Sequence, residues 1–201
     1  MELQLCIVTP FYFSLQHILN EIAENCLDIA INRSGCCLLQ ECIAYADKEA
    51  RDQILVEIAA NALLLSEHPF GNYVVQYILG LDIIEVTANI LAQFEGNILD
   101  LSMNKFSSHV VEKCLKELRA EYSTRIIVEL ISNPELFQNV VQDYFGNYVI
   151  QSALAVSQGA IRQALVRLIH IHCPNFKSHL HGAWVTRRNK HGHIGGGRNY
   201  F

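Results

Sequence analysis

The 201-residue chain predicts an all-α fold, an α-α superhelix stacked from one recurring unit. Three observations predict it. The stretch GNYVVQ from Gly71 to Gln76 returns as GNYVIQ from Gly146 to Gln151. Cognates of it stand at an almost constant stride along the chain. Between them, apolar residues recur every three or four positions, the period of a helix with one buried face.

The cognates are NRSGCCLLQ (Asn32 to Gln40), HPFGNYVVQ (His68 to Gln76), NKFSSHVVE (Asn104 to Glu112), DYFGNYVIQ (Asp143 to Gln151) and HLHGAWVTR (His179 to Arg187). Measured between Gly35, Gly71, Ser107, Gly146 and Gly182, the strides are 36, 36, 39 and 36. A constant period of this size is the signature of a solenoid, whose single unit cannot bury its own apolar side and is covered by its neighbours. The longer stride holds Ser132 to Leu136, SNPEL, and Asn133-Pro134 there predicts a longer turn.

Taken in order, residues 1–12 read as an N-terminal extension. The uncharged run at the start of the chain is interrupted by Thr9, Pro10, Ser14 and Gln16 and has no flanking Lys or Arg, which argues against a signal or membrane segment. The repeat domain is placed at 13–185, with repeats at about 13–47, 48–83, 84–121 and 122–159 and a degenerate cap at 160–185. Each repeat reads as a helix pair. In the second, RDQILVEIAANALLLSEH forms one helix ending near His68-Pro69, because the residue before proline is pushed out of the α region. The second helix then starts at Gly71, with Val74, Val75, Ile78 and Leu79 towards the stack. The tail 186–201 is basic and Gly-rich and reads as disordered.

Composition narrows the classes. About half the residues are apolar, as in an ordinary globular chain, and the net charge of −5 gives no bulk support for nucleic-acid binding. Seven cysteines, an odd number with no CxxC pair, argue against a disulfide framework and for a reducing compartment. Cys36 and Cys37 have no His or Cys at zinc-finger spacing, and His170, His172, His179, His181, His191 and His193 would need the tail to fold over to gather a metal. No Ser/His or Cys/His pair sits in a nucleophile context, so neither an enzyme nor a cofactor is expected.

The chemistry lies in three positions of each second helix, i, i+1 and i+4. They give the sets Cys36/Cys37/Gln40, Asn72/Tyr73/Gln76, Ser108/His109/Glu112 and Asn147/Tyr148/Gln151. Two amides one turn apart offer donors and acceptors to a uracil edge, and a flat Tyr beside them can stack on a base. Ser with Glu suits guanine, whose ring N–H and exocyclic amine both donate. Cys with Gln suits adenine. The base-edge positions are thus Cys36, Gln40, Asn72, Gln76, Ser108, Glu112, Asn147 and Gln151, and the stacking positions Cys37, Tyr73, His109 and Tyr148. Lys105 and Lys113 are candidate phosphate contacts.

On GNYVVQ, SSHVVE, GNYVIQ and SGCCLLQ, the chain from about Phe13 to Val185 resembles the Pumilio (PUF) family of RNA-binding repeat proteins. The resemblance implies sets that read U, G, U and A, with RNA antiparallel to the repeats, so the sets spell 5′-UGUA-3′ from the C-terminal end. It also implies single-stranded RNA in mRNA 3′ untranslated regions as the partner, post-transcriptional control of translation and mRNA stability in the cytoplasm, and recruited repressor or deadenylase proteins. The chain departs from the family in having four legible sets where eight repeats are usual, and in Cys37 where a larger stacking residue is commoner. The rival expectation is a solenoid scaffold for proteins, or a degenerate paralogue, that has lost RNA affinity. A nucleolar-type member binding structured RNA would need basic patches that the acidic balance disfavours.

Overall fold

The computed structural model describes residues 17–172, all of whose regular elements are helices. Each repeat contributes three helices. The first has α1 (17–24), α2 (Cys26–Ala30) and α3 (Gly35–Tyr45), and the second has α4 (Lys48–Ala60), α5 (Ala62–Ser66) and α6 (Gly71–Leu79). The third has α7 (Ile84–Phe94), α8 (Ile98–Met103) and α9 (Ser107–Glu117), and the fourth has α10 (Ala120–Ser132), α11 (Pro134–Gln142) and α12 (Gly146–Val156). Helix α13 (Gly159–His172) follows and packs on α10 and α11. Of the expected cap at 160–185, only the part up to 172 is described. The extension 1–12 and the tail 186–201 lie outside the described residues.

The expected helix pair is therefore a helix triple, and an asparagine makes the difference. Asn25 and Asn61 interrupt what the apolar period reads as one helix, with φ/ψ of −111/17° and −111/16°; in the third repeat the break is wider, with α7 ending at Phe94, Gly96 at φ 83° and Asn97 at −118/3° before α8. The Nδ2 groups of Asn25 and Asn61 donate back to Glu21 O (2.8 Å) and Glu57 O (2.9 Å), four residues earlier. Such local side-chain bonds compete with the helical ladder. Periodicity alone cannot show the break, because the apolar stripe resumes on the other side of it.

The longer stride is also resolved differently from the expected turn. Asn133 is the fourth member of the asparagine series, 36 residues after Asn97, so no insertion precedes it. Its Oδ1 accepts from Glu135 N and Leu136 N (3.2 Å each), and Pro134 takes the first helical position, where its missing N–H costs nothing. The three extra residues fall within α11, which has 9 residues against 5 in α5 and 6 in α8. That is nearly one more helical turn.

Helices α3, α6, α9 and α12 form one row, each packed on the next, and the first helices of the repeats run behind them. One continuous core lies between: Leu39, Ile43, Val75, Ile78, Val111, Cys114 and Ile150 from the row, and Ile54, Ile58, Ile90, Phe94, Ile127 and Leu130 from behind. Val74, Val75, Ile78 and Leu79 are all buried, as the sequence implies.

The outer side of the first repeat breaks the pattern. Ile18 is 55% exposed, whereas its cognates Ile54, Ile90 and Ile126 are at most 4% exposed. Leu38 is 51% exposed, although Val74, Val110 and Val149 in the same register are fully covered by the preceding repeat. No described helix is long and apolar enough to cross a membrane.

Candidate nucleic-acid interface

The row owes its regularity to the entrance of each third helix. Asn32, Asn104 and Asp143 each use Oδ1 to accept two backbone N–H groups, from Ser34 and Gly35, from Phe106 and Ser107, and from Phe145 and Gly146, at 2.8–3.2 Å. His68 does the same with Nδ1 for Phe70 and Gly71, at 3.2 and 3.3 Å. These contacts satisfy donors that a helix start leaves open. The four residues open the recurring motifs, outside the i, i+1 and i+4 positions that carry the expected chemistry. Their signal is an acceptor side chain always three residues before the small one.

The small residue is there because a backbone carbonyl six residues earlier comes close. A Cβ on Gly35, Gly71 or Gly146 would stand 2.3, 2.8 or 2.4 Å from the carbonyl oxygen of Ile29, Leu65 or Val140. Ser107 holds the same position in the third repeat, and its Oγ donates to the equivalent carbonyl, Leu101 O, at 2.8 Å.

All four sets lie on the row, one per helix, and their three positions differ in depth. Position i is almost closed to solvent in three of them, with Cys36, Asn72 and Ser108 at 3, 2 and 2%, and Asn147 is half-buried. Position i+1 is exposed in every set: Cys37, Tyr73, His109 and Tyr148. Position i+4, held by Gln40, Gln76, Glu112 and Gln151, is half-buried throughout. A flat or soft side chain thus stands open beside a partly covered polar one.

In the two amide sets, position i holds position i+4. Asn72 Nδ2 donates to His68 O (2.8 Å) and Pro69 O (3.0 Å), which uses both its protons, and Asn72 Oδ1 accepts from Gln76 Nε2 at 3.0 Å. Asn147 repeats this with Asp143 O (2.9 Å), Tyr144 O (2.7 Å) and Gln151 Nε2 (3.0 Å). The sequence suggests two amides equally offered to a base edge. The geometry gives them unequal roles, since the Asn donors are turned into the helix entrance and orient the Gln. The Gln keeps its carbonyl and one N–H, an acceptor beside a donor, which matches a uracil edge without help.

The other two sets are built differently. Cys36 Sγ donates to Arg33 O at 3.3 Å, and burial, with Cys37 adjacent, pushes its thiol above the ordinary range. Glu112 is reached from two sides: Lys116 Nζ, one turn on, and Ser152 Oγ of α12, at 3.0 Å, both donate to its Oε2. Of the candidate phosphate contacts, Lys113 is paired with Glu117 Oε2 at 2.5 Å and its side chain is only 20% exposed. Lys105 is exposed, with its ammonium 5.3 Å from the centre of the Phe106 ring.

Among the described residues, no three His, Cys, Asp or Glu side chains gather as a metal would need. His179, His181, His191 and His193 lie outside them. The described cysteines Cys26, Cys36, Cys37, Cys42 and Cys114 are free thiols, and burial pushes Cys114 up to about 12 and Cys26 to about 11.

Known proteins share this organisation. A model of the Pumilio-family RNA binding repeat matches residues 25–59, 61–81, 97–131 and 138–170. Pumilio homolog 8 of Arabidopsis thaliana is 44% identical over 157 residues, 78% of this chain and 30% of that protein. Pumilio homolog 12 of the same plant is 42% identical over 161 residues, 80% of this chain and 27% of that protein. Among solved structures, the Puf4 RNA binding domain bound to the HO endonuclease RNA 3′ UTR recognition sequence is 32% identical with a TM-score of 0.74, covering 87% of this chain and 55% of that one. The chain thus spans less than a third of these curated relatives and about half of the solved domain. Four stretches of repeat are matched, three of them beginning at the asparagine breaks Asn25, Asn61 and Asn97, and the chain belongs to the Pumilio (PUF) family of RNA-binding repeat proteins.

Proposed function

We propose that the row α3, α6, α9, α12 binds single-stranded RNA sequence-specifically, one base per repeat, with 5′-UGUA-3′ read from Gln151 back to Gln40. One observation carries this reading: each helix of the row sets an exposed Tyr, His or Cys beside a half-buried Gln or Glu, and the arrangement returns four times. An exposed ring can take the face of a base while the neighbouring amide or carboxylate meets its edge. Tyr73 and Tyr148 are both 52% exposed and give the two uracils aromatic platforms, worth about 1–3 kcal/mol per base. Cys37 offers adenine a smaller contact, so that base is held less firmly. The match to a domain solved with a 3′ UTR recognition sequence supports the same ligand class here.

On this reading the chain acts on 3′ untranslated regions of mRNA in the cytoplasm, lowering translation or mRNA lifetime through repressor or deadenylase partners. The binding step is tested by fluorescence anisotropy at fixed, near-physiological salt, with a labelled strand containing UGUA and the same strand carrying ACAC instead. The expected outcome is a clear preference for UGUA. Equal affinity for both strands, or none from folded protein, would sink the reading and favour a scaffold for proteins.

A further inference from the structure

Glu112 is the one carboxylate among the four described i+4 positions, and the neighbouring repeat holds it in place. In the amide sets, Gln76 and Gln151 are oriented by Asn72 and Asn147 of their own set, at 3.0 Å each. For Glu112 the hydroxyl partner is Ser152, 40 residues on, whose Oγ lies 3.0 Å from Oε2. Lys116 Nζ donates to the same oxygen, so both contacts converge on Oε2 and neither uses Oε1. Fixing one oxygen from two directions fixes the carboxylate plane.

Ser152 is 4% exposed and has one proton to give, with two acceptors in reach: Glu112 Oε2 and Tyr148 O, its own helix carbonyl four residues back, at 2.9 Å. A buried serine in a helix ordinarily takes that carbonyl. An ionised carboxylate is the stronger acceptor and draws the proton across the repeat boundary. In the same register the other repeats carry Glu41, Tyr77 and Lys113. The short hydroxyl therefore occurs opposite the carboxylate, where a donor with no charge and little bulk is needed.

We propose that Ser152 is a positioning residue for guanine selectivity: its hydroxyl, supplied by the fourth repeat, holds the Glu112 carboxylate of the third in the orientation that accepts the guanine N–H groups. This rests on the RNA reading proposed above. It makes the choice of G a property of two adjacent repeats.

The test is anisotropy with two strands, one containing UGUA and one containing UAUA, on the unmutated chain, Ser152→Ala and Ser152→Thr. Ser152→Ala removes the hydroxyl and improves helix propensity. It is expected to bind UAUA as the unmutated chain does while losing roughly tenfold of the preference for UGUA, the size of one hydrogen bond to a charged group at the low end. Ser152→Thr, which restores the donor, is expected to recover the ratio. A Ser152→Ala chain that keeps the whole G preference, or that weakens on both strands equally, overturns the proposal while leaving the RNA reading in place. An unmutated chain that does not distinguish the strands at all overturns the RNA reading and this proposal with it.

Discussion

Asn72 and Ser108 hold the same register position, and both are 2% exposed, which defines what a change of base preference demands. Set two buries an asparagine there, and set four half-buries one, by giving its Nδ2 protons to two carbonyls at the helix entrance. The third repeat has its own entrance loop at Asn104 to Phe106, so an amide introduced at position 108 meets the same kind of acceptors. Ser108→Asn combined with Glu112→Gln is thus expected to fold and to move the preferred second base from G to U, read as relative affinity for UGUA and UUUA. Equal affinity for the two strands in that double variant would count against the assignment of set to base. The residue types and their spacing were legible in the sequence, because only a repeated surface places Asn, Tyr and Gln in one order twice. Their depths were not. That Asn72 faces inward and Gln76 outward depends on which carbonyls the entrance loop turns towards the side chain, and no spacing in the sequence encodes that.

Each third helix begins on an acceptor that closes two backbone N–H groups, and this device is where an element can be weakened without touching its exposed face. Asp143 Oδ1 accepts from Phe145 N and Gly146 N at 2.8 Å each, and its negative charge also favours the helix start. Asp143→Ala is expected to cost about 1 kcal/mol of stability, measured as a lower urea midpoint with an unchanged slope, while Asp143→Asn, which keeps an acceptor oxygen, recovers most of it. No loss in Asp143→Ala would mean that solvent satisfies those donors equally well. At this scale the sequence misleads twice. Hydrophobic period shows which face of a helix is covered but not where the backbone is interrupted, so the Asn61 break was hidden inside one apolar stripe. The Asn133-Pro134 pair reads as a longer turn, although it is the start of a longer helix.

Across the whole molecule, register tells which apolar residues carry stability. Val74 is fully covered by the first repeat, whereas Leu38, its cognate one repeat earlier, is 51% exposed. Val74→Ala is expected to cost about 2–3 kcal/mol through lost burial and the space left behind, and Leu38→Ala less than about 1 kcal/mol, compared by urea denaturation of the two variants. A cost at Leu38 matching that at Val74 would show that something covers it in solution. The solenoid architecture was fully legible, since five cognates at a near-constant stride leave little else to build. The difference in burial between the first repeat and the later ones was not, because Ile18 in HILNEIA and Ile54 in QILVEIA stand in similar apolar patterns, yet Ile18 is 55% exposed and Ile54 is buried.

The contact between Ser152 and Glu112 bears on how such a protein can be rearranged. If every repeat were a self-sufficient letter, repeats could be cut out and joined in any order to spell a new target. A carboxylate braced by the following repeat does not travel alone: a third repeat moved to another place would carry Ser108, His109 and Glu112 but leave Ser152 behind. Shuffling this chain therefore has a natural unit of two adjacent repeats, with the seam placed before α7 and not between α9 and α12.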